Sequence, residues 1–137
     1  MAPLLDPEDL ATATIRGEAE GESHEGRLAV AKVIRNRMAA RFFSDGTLAG
    51  TVLKPYQFSV WNTAELRRIQ MACCDRDDEA SRAARLAWQE SATWVGLPSS
   101  AVMYHATTMP AYPEWAKPGK GFRAVITIGR HIFYERA

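Results

Sequence analysis

The spacing of apolar residues changes once along the chain, after Gly96 and Pro98. Before this point the chain has segments in which apolar residues recur every three or four positions, as they do along one face of a helix. After it come short runs of β-branched and aromatic residues, "SAVMYHATT", "FRAVITIG" and "HIFYER". The last two runs meet at Gly129 and Arg130, which indicates a hairpin turn. The pattern predicts an α+β protein, mainly helical with a small antiparallel sheet.

Three helices are predicted ahead of that change, over residues 7 to 17, 24 to 42 and 77 to 95. The first begins with Asp6 as N-cap and Pro7 at the first helical position. The second has the strongest pattern because its apolar residues form one stripe at helical spacing, made of Val30, Ala31, Val33, Ile34 and Met38. Residues 44 to 63 have no clean period, which predicts a loop with a short turn of helix.

The size of the chain, 137 residues, is that of one ordinary domain, so we expect residues 1 to 137 to form a single domain. Its 17 basic and 16 acidic residues leave a formal charge of +1, which favours binding neither to nucleic acid nor to an anionic membrane. The adjacent cysteines Cys73 and Cys74 rarely meet the geometry of a disulfide. We expect a monomer without stable membrane association.

The most acidic stretch is "RGEAEGESHEG", residues 16 to 26, which lies between the first two predicted helices. Like charges held close raise one another's proton affinity, and burial raises it further. Such an environment keeps a glutamate protonated at neutral pH and lets it serve as a general acid. The alternative is a solvated helix end without chemistry. The residues in question are Glu18, Glu20, Glu22 and Glu25.

A cation, Arg37, falls within the apolar stripe of the second helix, where a solvated charge is not expected. One interpretation is that it pairs with a junction glutamate, orienting that carboxylate and leaving another free for chemistry. The other is that it extends past the end of the core to reach water. The sequence leaves both open.

Aromatic and amide side chains are concentrated in the irregular segments. Rings interleaved with amide and hydroxyl donors suit a sugar, which has an apolar face to stack and a rim of hydroxyls to bond. The same rings also commonly fill a core. The residues are Tyr56, Gln57, Phe58, Trp61 and Asn62, followed by Tyr104, His105, Tyr112, Trp115 and Tyr134.

Three histidines, His24, His105 and His131, are enough for a zinc site, but no pair has a familiar short ligand spacing and H-E-x-x-H is absent. A cysteine nucleophile paired with a histidine is also disfavoured, because the aspartates of "CCDRDD" would raise the thiol pKa. We therefore predict no metal and no cofactor.

Five segments in order, "IRGEAEGESHEGRLAVAKVIRNRM", "KPYQFSVWN", "AVMYHATT", "PEWA" and "IGRHIFY", resemble the SleB-type cell-wall hydrolase family, which includes spore-cortex-lytic enzymes and phage lysins. The resemblance runs from about residue 10 to residue 134. It implies a lysozyme-like α+β domain that cleaves the glycan strand of peptidoglycan between N-acetylmuramic acid and N-acetylglucosamine, as a lytic transglycosylase or a muramidase.

The family's single catalytic glutamate corresponds by resemblance to Glu18, with Glu22 in a supporting role, either paired with Arg37 or near the substrate. Glu20 and Glu25 would then be solvated. Sugar contacts or orientation of the site are expected from Gln57, Ser59, Tyr104, His131 and Trp115. Since an anhydro ring can close on the muramic acid 6-hydroxyl, this route needs no second carboxylate to place a water.

Two other functions remain as alternatives: a zinc-dependent peptidoglycan amidase or peptidase using His24, His105 and His131, and a glycan-binding virion protein without turnover. The N-terminus has no signal-peptide pattern, and no stretch reaches the ~20 apolar residues that span a bilayer. We therefore expect synthesis in the host cytoplasm and action in the cell wall after release, as by a phage or prophage endolysin, or carriage in a virion.

Overall fold

A computed structural model describes residues 6–54, 57, 58, 61 and 78–137. Within this part of the chain there are four α-helices, one 3₁₀ turn and three strands. The helices are α1 (Pro7–Glu18), α2 (His24–Ala40), α3 (Leu48–Val52) and α4 (Glu79–Ser91). The turn is Glu114–Ala116, and the strands are β1 (Ala101–Ala106), β2 (Phe122–Ile128) and β3 (His131–Arg136). The predicted α+β class, mainly helical with a small antiparallel sheet, is confirmed.

Side-chain caps fix where the helices begin. The Asp6 carboxylate accepts the backbone N–H of Asp9 at 2.8 Å, as the Asp-Pro pair predicts. Ser23 caps α2 in the same way. The junction between α1 and α2 is therefore only five residues long, with Glu18 as the last residue of α1 and Glu22 inside the junction.

The predicted end of the third helix is wrong by four residues, because α4 ends at Ser91 rather than at Val95. Beyond it the chain turns, with the N–H groups of Thr93 and Trp94 both bonded to the carbonyl of Glu90. The ring of Trp94 then lies against Gly96, where a Cβ would come within 2.2 Å of it. Trp94 also packs against the hydrophobic cluster between α2 and the sheet, so this residue belongs to the turn and not to the helix.

The strands form one antiparallel sheet in the order β1-β3-β2. The predicted hairpin joins β2 to β3, with Ile128 opposite His131 and with Gly129 in the left-handed region at φ +57°. The prediction that residues 44 to 63 form a loop with a short turn of helix is confirmed for the residues that the structure describes, and α3 is that short helix.

Helix α2 lies between the two hydrophobic clusters of the core. One cluster joins it to α1 and α4, and the other joins it to the sheet. Four residues of the predicted stripe are fully buried, and the fifth, Met38, packs against the first cluster. None of the described helices is long and apolar enough to cross a bilayer. Since α2 carries Arg37 and follows the acidic junction, this packing brings the junction to the sheet.

Candidate active site

Glu18, the last residue of α1, is half-buried and faces strand β1. The hydroxyl of Tyr104, on β1, donates a hydrogen bond to its carboxylate. Burial first, and then the negative charge of Glu18, raise the pKa of Tyr104 well above its usual value of about 10. Tyr104 is therefore a neutral hydrogen-bond donor to Glu18 throughout the physiological pH range.

Arg37 is buried, with 3% of its surface exposed, so the prediction that it reaches past the end of the core to water is wrong. Its Nε donates to the backbone carbonyl of Val102 at 2.6 Å. Burial lowers the pKa of Arg37, while electrostatic interactions with Tyr104 and Glu18 raise it. The junction glutamate whose charge acts on Arg37 is therefore Glu18, and the guanidinium remains a cation because arginine loses its proton only far above physiological pH.

The remaining contacts of Arg37 hold the guanidinium in one orientation. Nη2 donates to Sδ of Met103 at 3.4 Å, and Nη1 lies 3.5 Å from Oε1 of Gln57, at the limit of a hydrogen bond. The guanidinium also lies over the ring of Phe58, 4.8 Å from its centroid. A fixed positive charge is thus built into the wall beside Glu18 and Tyr104.

Glu22 has a different environment, although it is only four residues from Glu18. Its side chain is 7% exposed and lies against the β2–β3 hairpin. Oε1 accepts the backbone N–H of Arg130 at 3.2 Å, and Oε2 lies 3.7 Å from Nε of the same residue. The predicted pairing of Glu22 with Arg37 is therefore wrong, since its cationic partner is Arg130, 108 residues away.

His131 completes the enclosure of Glu22. Its Nδ1 lies 3.3 Å from Oε1 of Glu22 without hydrogen-bond geometry, and its ring packs edge-on against Tyr104 at 5.1 Å between centroids. Burial lowers the pKa of His131 below its usual 6.5, although the charge of Glu22 opposes this. His131 therefore contacts Glu22 on one side and Tyr104, the hydrogen-bond donor to Glu18, on the other. Its ring is largely neutral at pH 7.

Two glycines leave the space that Glu22 occupies. A Cβ at Gly26 would lie 2.9 Å from Cβ of Glu22, and one at Gly129 would lie 2.8 Å from its Oε2. The hairpin turn and the start of α2 therefore approach the Glu22 side chain more closely than residues with a side chain of their own could.

The structure separates the other predicted sugar-contacting residues. Gln57 joins the Glu18 group through Arg37, whereas Ser59 lies outside the described residues. Trp115 packs instead with His105 and Tyr134, at 5.8 and 5.1 Å between ring centroids. These two residues follow Tyr104 and Phe133 in their strands and so point to the other face of the sheet. The role of Trp115 in substrate binding stays a prediction.

The three histidines are not brought together. His24 pairs with Glu90 at 2.7 Å, and Nε2 of His105 bonds to the hydroxyl of Tyr134 at 2.8 Å. In the part of the chain that the structure describes, no three His, Cys, Asp or Glu side chains form a group that could hold a metal ion. Glu20 and Glu25 are exposed, as predicted.

The sequence did not identify two groups at this site: the carbonyl of Val102 and the sulfur of Met103. The first is a backbone atom, and the second reads as an ordinary apolar strand position, so neither gives a local signal. Arg130 was visible in the motif "IGRHIFY", next to the hairpin glycine, but its contacts with Glu22 were not. A cation in a predicted two-residue turn is the signal that could have suggested an acidic partner.

The match to known families covers most of the chain. Residues 21–134 match the family model described as Cell Wall Hydrolase. A spore cortex-lytic enzyme of Oceanobacillus iheyensis is 29% identical over 119 residues, which are 87% of this chain and 38% of that protein. One of Bacillus subtilis is 29% identical over 126 residues, 92% of this chain and 36% of the relative. The chain thus spans less than two fifths of the length of these relatives.

Two solved structures share the fold. The catalytic domain of the germination-specific lytic transglycosylase SleB from Bacillus anthracis aligns with a TM-score of 0.71 at 22% identity, covering 96% of this chain and 95% of that one. The catalytic domain of the Bacillus cereus SleB protein aligns with a TM-score of 0.66 at 24% identity, covering 93% and 88%. With the family match across residues 21–134, these findings confirm the assignment made from the sequence motifs, and the chain belongs to the cell wall hydrolase family.

Proposed function

We propose that this domain cleaves the glycan strand of peptidoglycan between N-acetylmuramic acid and N-acetylglucosamine, with Glu18 as the general acid and base. The observation that carries the proposal is the environment of Glu18, a half-buried carboxylate bonded to the Tyr104 hydroxyl beside the buried Arg37 cation. Membership of the cell wall hydrolase family supports the substrate class. The reaction type is supported by the shared fold with the Bacillus anthracis protein, which is a lytic transglycosylase.

The reaction begins with proton transfer from Glu18 to the glycosidic oxygen, and the bond from that oxygen to the muramic acid C1 then breaks. Negative charge develops on Glu18 as positive charge develops on the sugar. The Tyr104 hydroxyl already donates to the carboxylate, and the Arg37 cation is already fixed in the wall beside it, so both stabilise the negative charge as it forms without rearranging. They therefore act on the transition state more than on the protonated starting state.

The second step regenerates the acid. Glu18 takes the proton of the muramic acid 6-hydroxyl, and the resulting oxygen bonds to C1, which closes a 1,6-anhydro ring and leaves Glu18 protonated again. A transglycosylase of this type needs no second carboxylate. The position of Glu22 supports a mechanism without a second carboxylate. Glu22 is almost fully buried and bound to the hairpin, so it is poorly placed to activate a water.

The experiment is release of soluble muropeptides from purified peptidoglycan, identified by mass spectrometry. Products ending in 1,6-anhydromuramic acid support transglycosylation, and reducing muramic acid ends support hydrolysis by the same acid. Cleavage within the peptides, abolished by a chelator, would replace the proposal by the zinc amidase or peptidase. Binding to peptidoglycan without any released product would replace it by the glycan-binding protein.

The remaining expectations concern the context in which the domain acts. We propose that it acts on the cell wall as a monomeric single domain. Membership of the cell wall hydrolase family supports this site of action, while the origin as a phage or prophage endolysin and the carriage in a virion stay predictions. Size-exclusion chromatography with light scattering measures the oligomeric state.

A further inference from the structure

Arg130 lies at the tip of the β2–β3 hairpin, with a side chain that is 58% exposed. Its backbone N–H donates to the buried Glu22 carboxylate, and its Nε lies 3.7 Å from the same carboxylate. These two contacts fix the base of the side chain at the hairpin tip. An exposed arginine is ordinarily mobile, so this anchoring is a first sign that its position matters.

The guanidinium lies on the turn that follows Glu18. A Cβ added to Gly21 would come within 2.9 Å of Nη2 of Arg130, which places that nitrogen directly against the backbone of the turn. Gly21 itself is exposed and is only three residues from Glu18. Arg130 is therefore a cation at the surface of the proposed active site rather than elsewhere on the sheet.

Most of the hydrogen-bonding capacity of this guanidinium is unused. Among the residues that the structure describes, Glu22 is the one ion-pair partner of Arg130. The Arg130 side chain makes no hydrogen bond within this part of the chain, since the bond to Glu22 comes from the Arg130 backbone. A guanidinium has five N–H donors in a planar fork that matches a carboxylate. The exposed part of the fork is thus available to an anionic group that reaches the turn from solvent.

The glycan strand of peptidoglycan carries such groups. Each muramic acid bears a lactyl substituent that ends in a carboxylate or in a peptide with carboxylates of its own. The turn itself carries Glu20 and Glu22, whose negative charges would repel them. We propose that Arg130 binds a carboxylate of the lactyl-peptide substituent and so makes the enzyme selective for anionic glycan. This inference rests on the proposed function.

The experiment compares two forms of one substrate. Purified peptidoglycan is used as isolated and after its carboxyl groups have been coupled to ethanolamine as neutral amides. Muropeptide release is measured as kcat/KM for wild type, Arg130→Gln, Arg130→Lys and the control Arg123→Gln. Arg123 lies on the same hairpin and is 66% exposed, but it pairs with Glu135 near the other end of the strands.

On native peptidoglycan, Arg130→Gln should lose about tenfold in kcat/KM, the size expected for a charge-assisted hydrogen bond. On the amidated substrate it should equal wild type, which itself drops by about tenfold. On native peptidoglycan, the kcat/KM of Arg130→Lys should lie between that of wild type and that of Arg130→Gln. Arg123→Gln should have the kcat/KM of wild type on both substrates. Thermal melting of each variant shows whether it is folded.

Equal losses on both substrates, or none on the native one, would overturn the inference, since Arg130 would then act only through Glu22 or not at all. If Arg130→Gln does not fold, the inference is tested by Arg130→Lys and by the ratio of the wild-type kcat/KM values on native and amidated peptidoglycan. A wild type that cleaves both substrates equally well also overturns the inference. A wild type that releases no muropeptide from either substrate contradicts the proposed function itself, and this result is distinct from the other two.

Discussion

Glu18 and Glu22 belong to one short acidic motif, yet the fold gives them opposite surroundings. Glu18 ends a helix, is half-buried, and meets the Tyr104 hydroxyl and the buried Arg37 cation. Glu22, four residues later, is enclosed by a hairpin and bound to its backbone. Burial alone therefore does not mark the candidate catalyst. The more buried acid is bound by a backbone N–H of the hairpin, whereas the less buried one meets a hydroxyl and a cation that stabilise a newly formed charge.

The largest effect on stability is expected from removing the cation on the Glu18 side. Arg37→Met should lower the free energy of unfolding by about 3 kcal/mol, because the buried Val102 carbonyl loses its donor and the Phe58 ring loses the cation that lies over it. Urea denaturation measures this. The matched control is Arg82→Met on exposed α4 surface, which should change stability by less than about 0.5 kcal/mol. Equal effects of the two variants would mean that the buried position of Arg37 is wrong.

On the Glu22 side, Gly129→Ala should destabilise the protein by about 2 kcal/mol. It places a Cβ both in a left-handed conformation and 2.8 Å from the Glu22 carboxylate. Gly119→Ala is the control, since Gly119 is also left-handed, at φ +82°, but nothing lies within 4 Å of its added Cβ. It should cost about 1 kcal/mol from the backbone alone. If both cost the same, the hairpin does not enclose Glu22 as described.

Removal of the hydroxyl beside Glu18 tests the proposed catalytic half. Tyr104→Phe should reduce the rate of muropeptide release by about tenfold, the contribution of one hydrogen bond to a developing charge. Tyr134→Phe removes the hydroxyl bonded to His105 on the other face of the sheet. It should lower stability by about 1 kcal/mol and leave the rate within twofold. A rate loss that is equal in both variants would contradict the assignment of Tyr104.

The smallest expected effect is a pH dependence of stability on the Glu22 side. The pKa of folded His131 lies below the unfolded value of about 6.5, so the unfolded chain binds more protons between those two values. Stability contributed by neutral His131 is therefore present above pH 6.5 and is lost as pH falls toward the folded pKa. His131→Gln should flatten that part of the stability profile measured by urea denaturation between pH 5 and 8. An unchanged slope would place the titration elsewhere.

The secondary structure could be predicted because its signals are local. The Asp6 cap, the apolar stripe of α2 and the turn at Gly129 each act within a few residues. The end of α4 could not, because it depends on how Trp94 packs. The same holds for the site. The motif that contains Glu18 could be recognised in the sequence, but the partner of Glu22 could not.

That partner is supplied by a hairpin 108 residues away, and only the packing of α2 on the sheet brings the two together. Arg37 showed the same limit. Its place in an apolar stripe predicted that it needs partners, and one of them, a backbone carbonyl of β1, has no signature in the sequence. The sequence indicates which charged side chains need partners, but it does not indicate which groups, distant in the chain, supply them.

The most direct test of the division between the two glutamates is muropeptide release by Glu18→Gln and Glu22→Gln, measured side by side by mass spectrometry together with thermal melting. Glu18→Gln should keep wild-type stability and lose about 10³-fold in rate, as expected for a general acid. Glu22→Gln should be less stable but lose no more than about tenfold in rate. Full activity of Glu18→Gln, or abolished activity of a fully stable Glu22→Gln, would contradict the account.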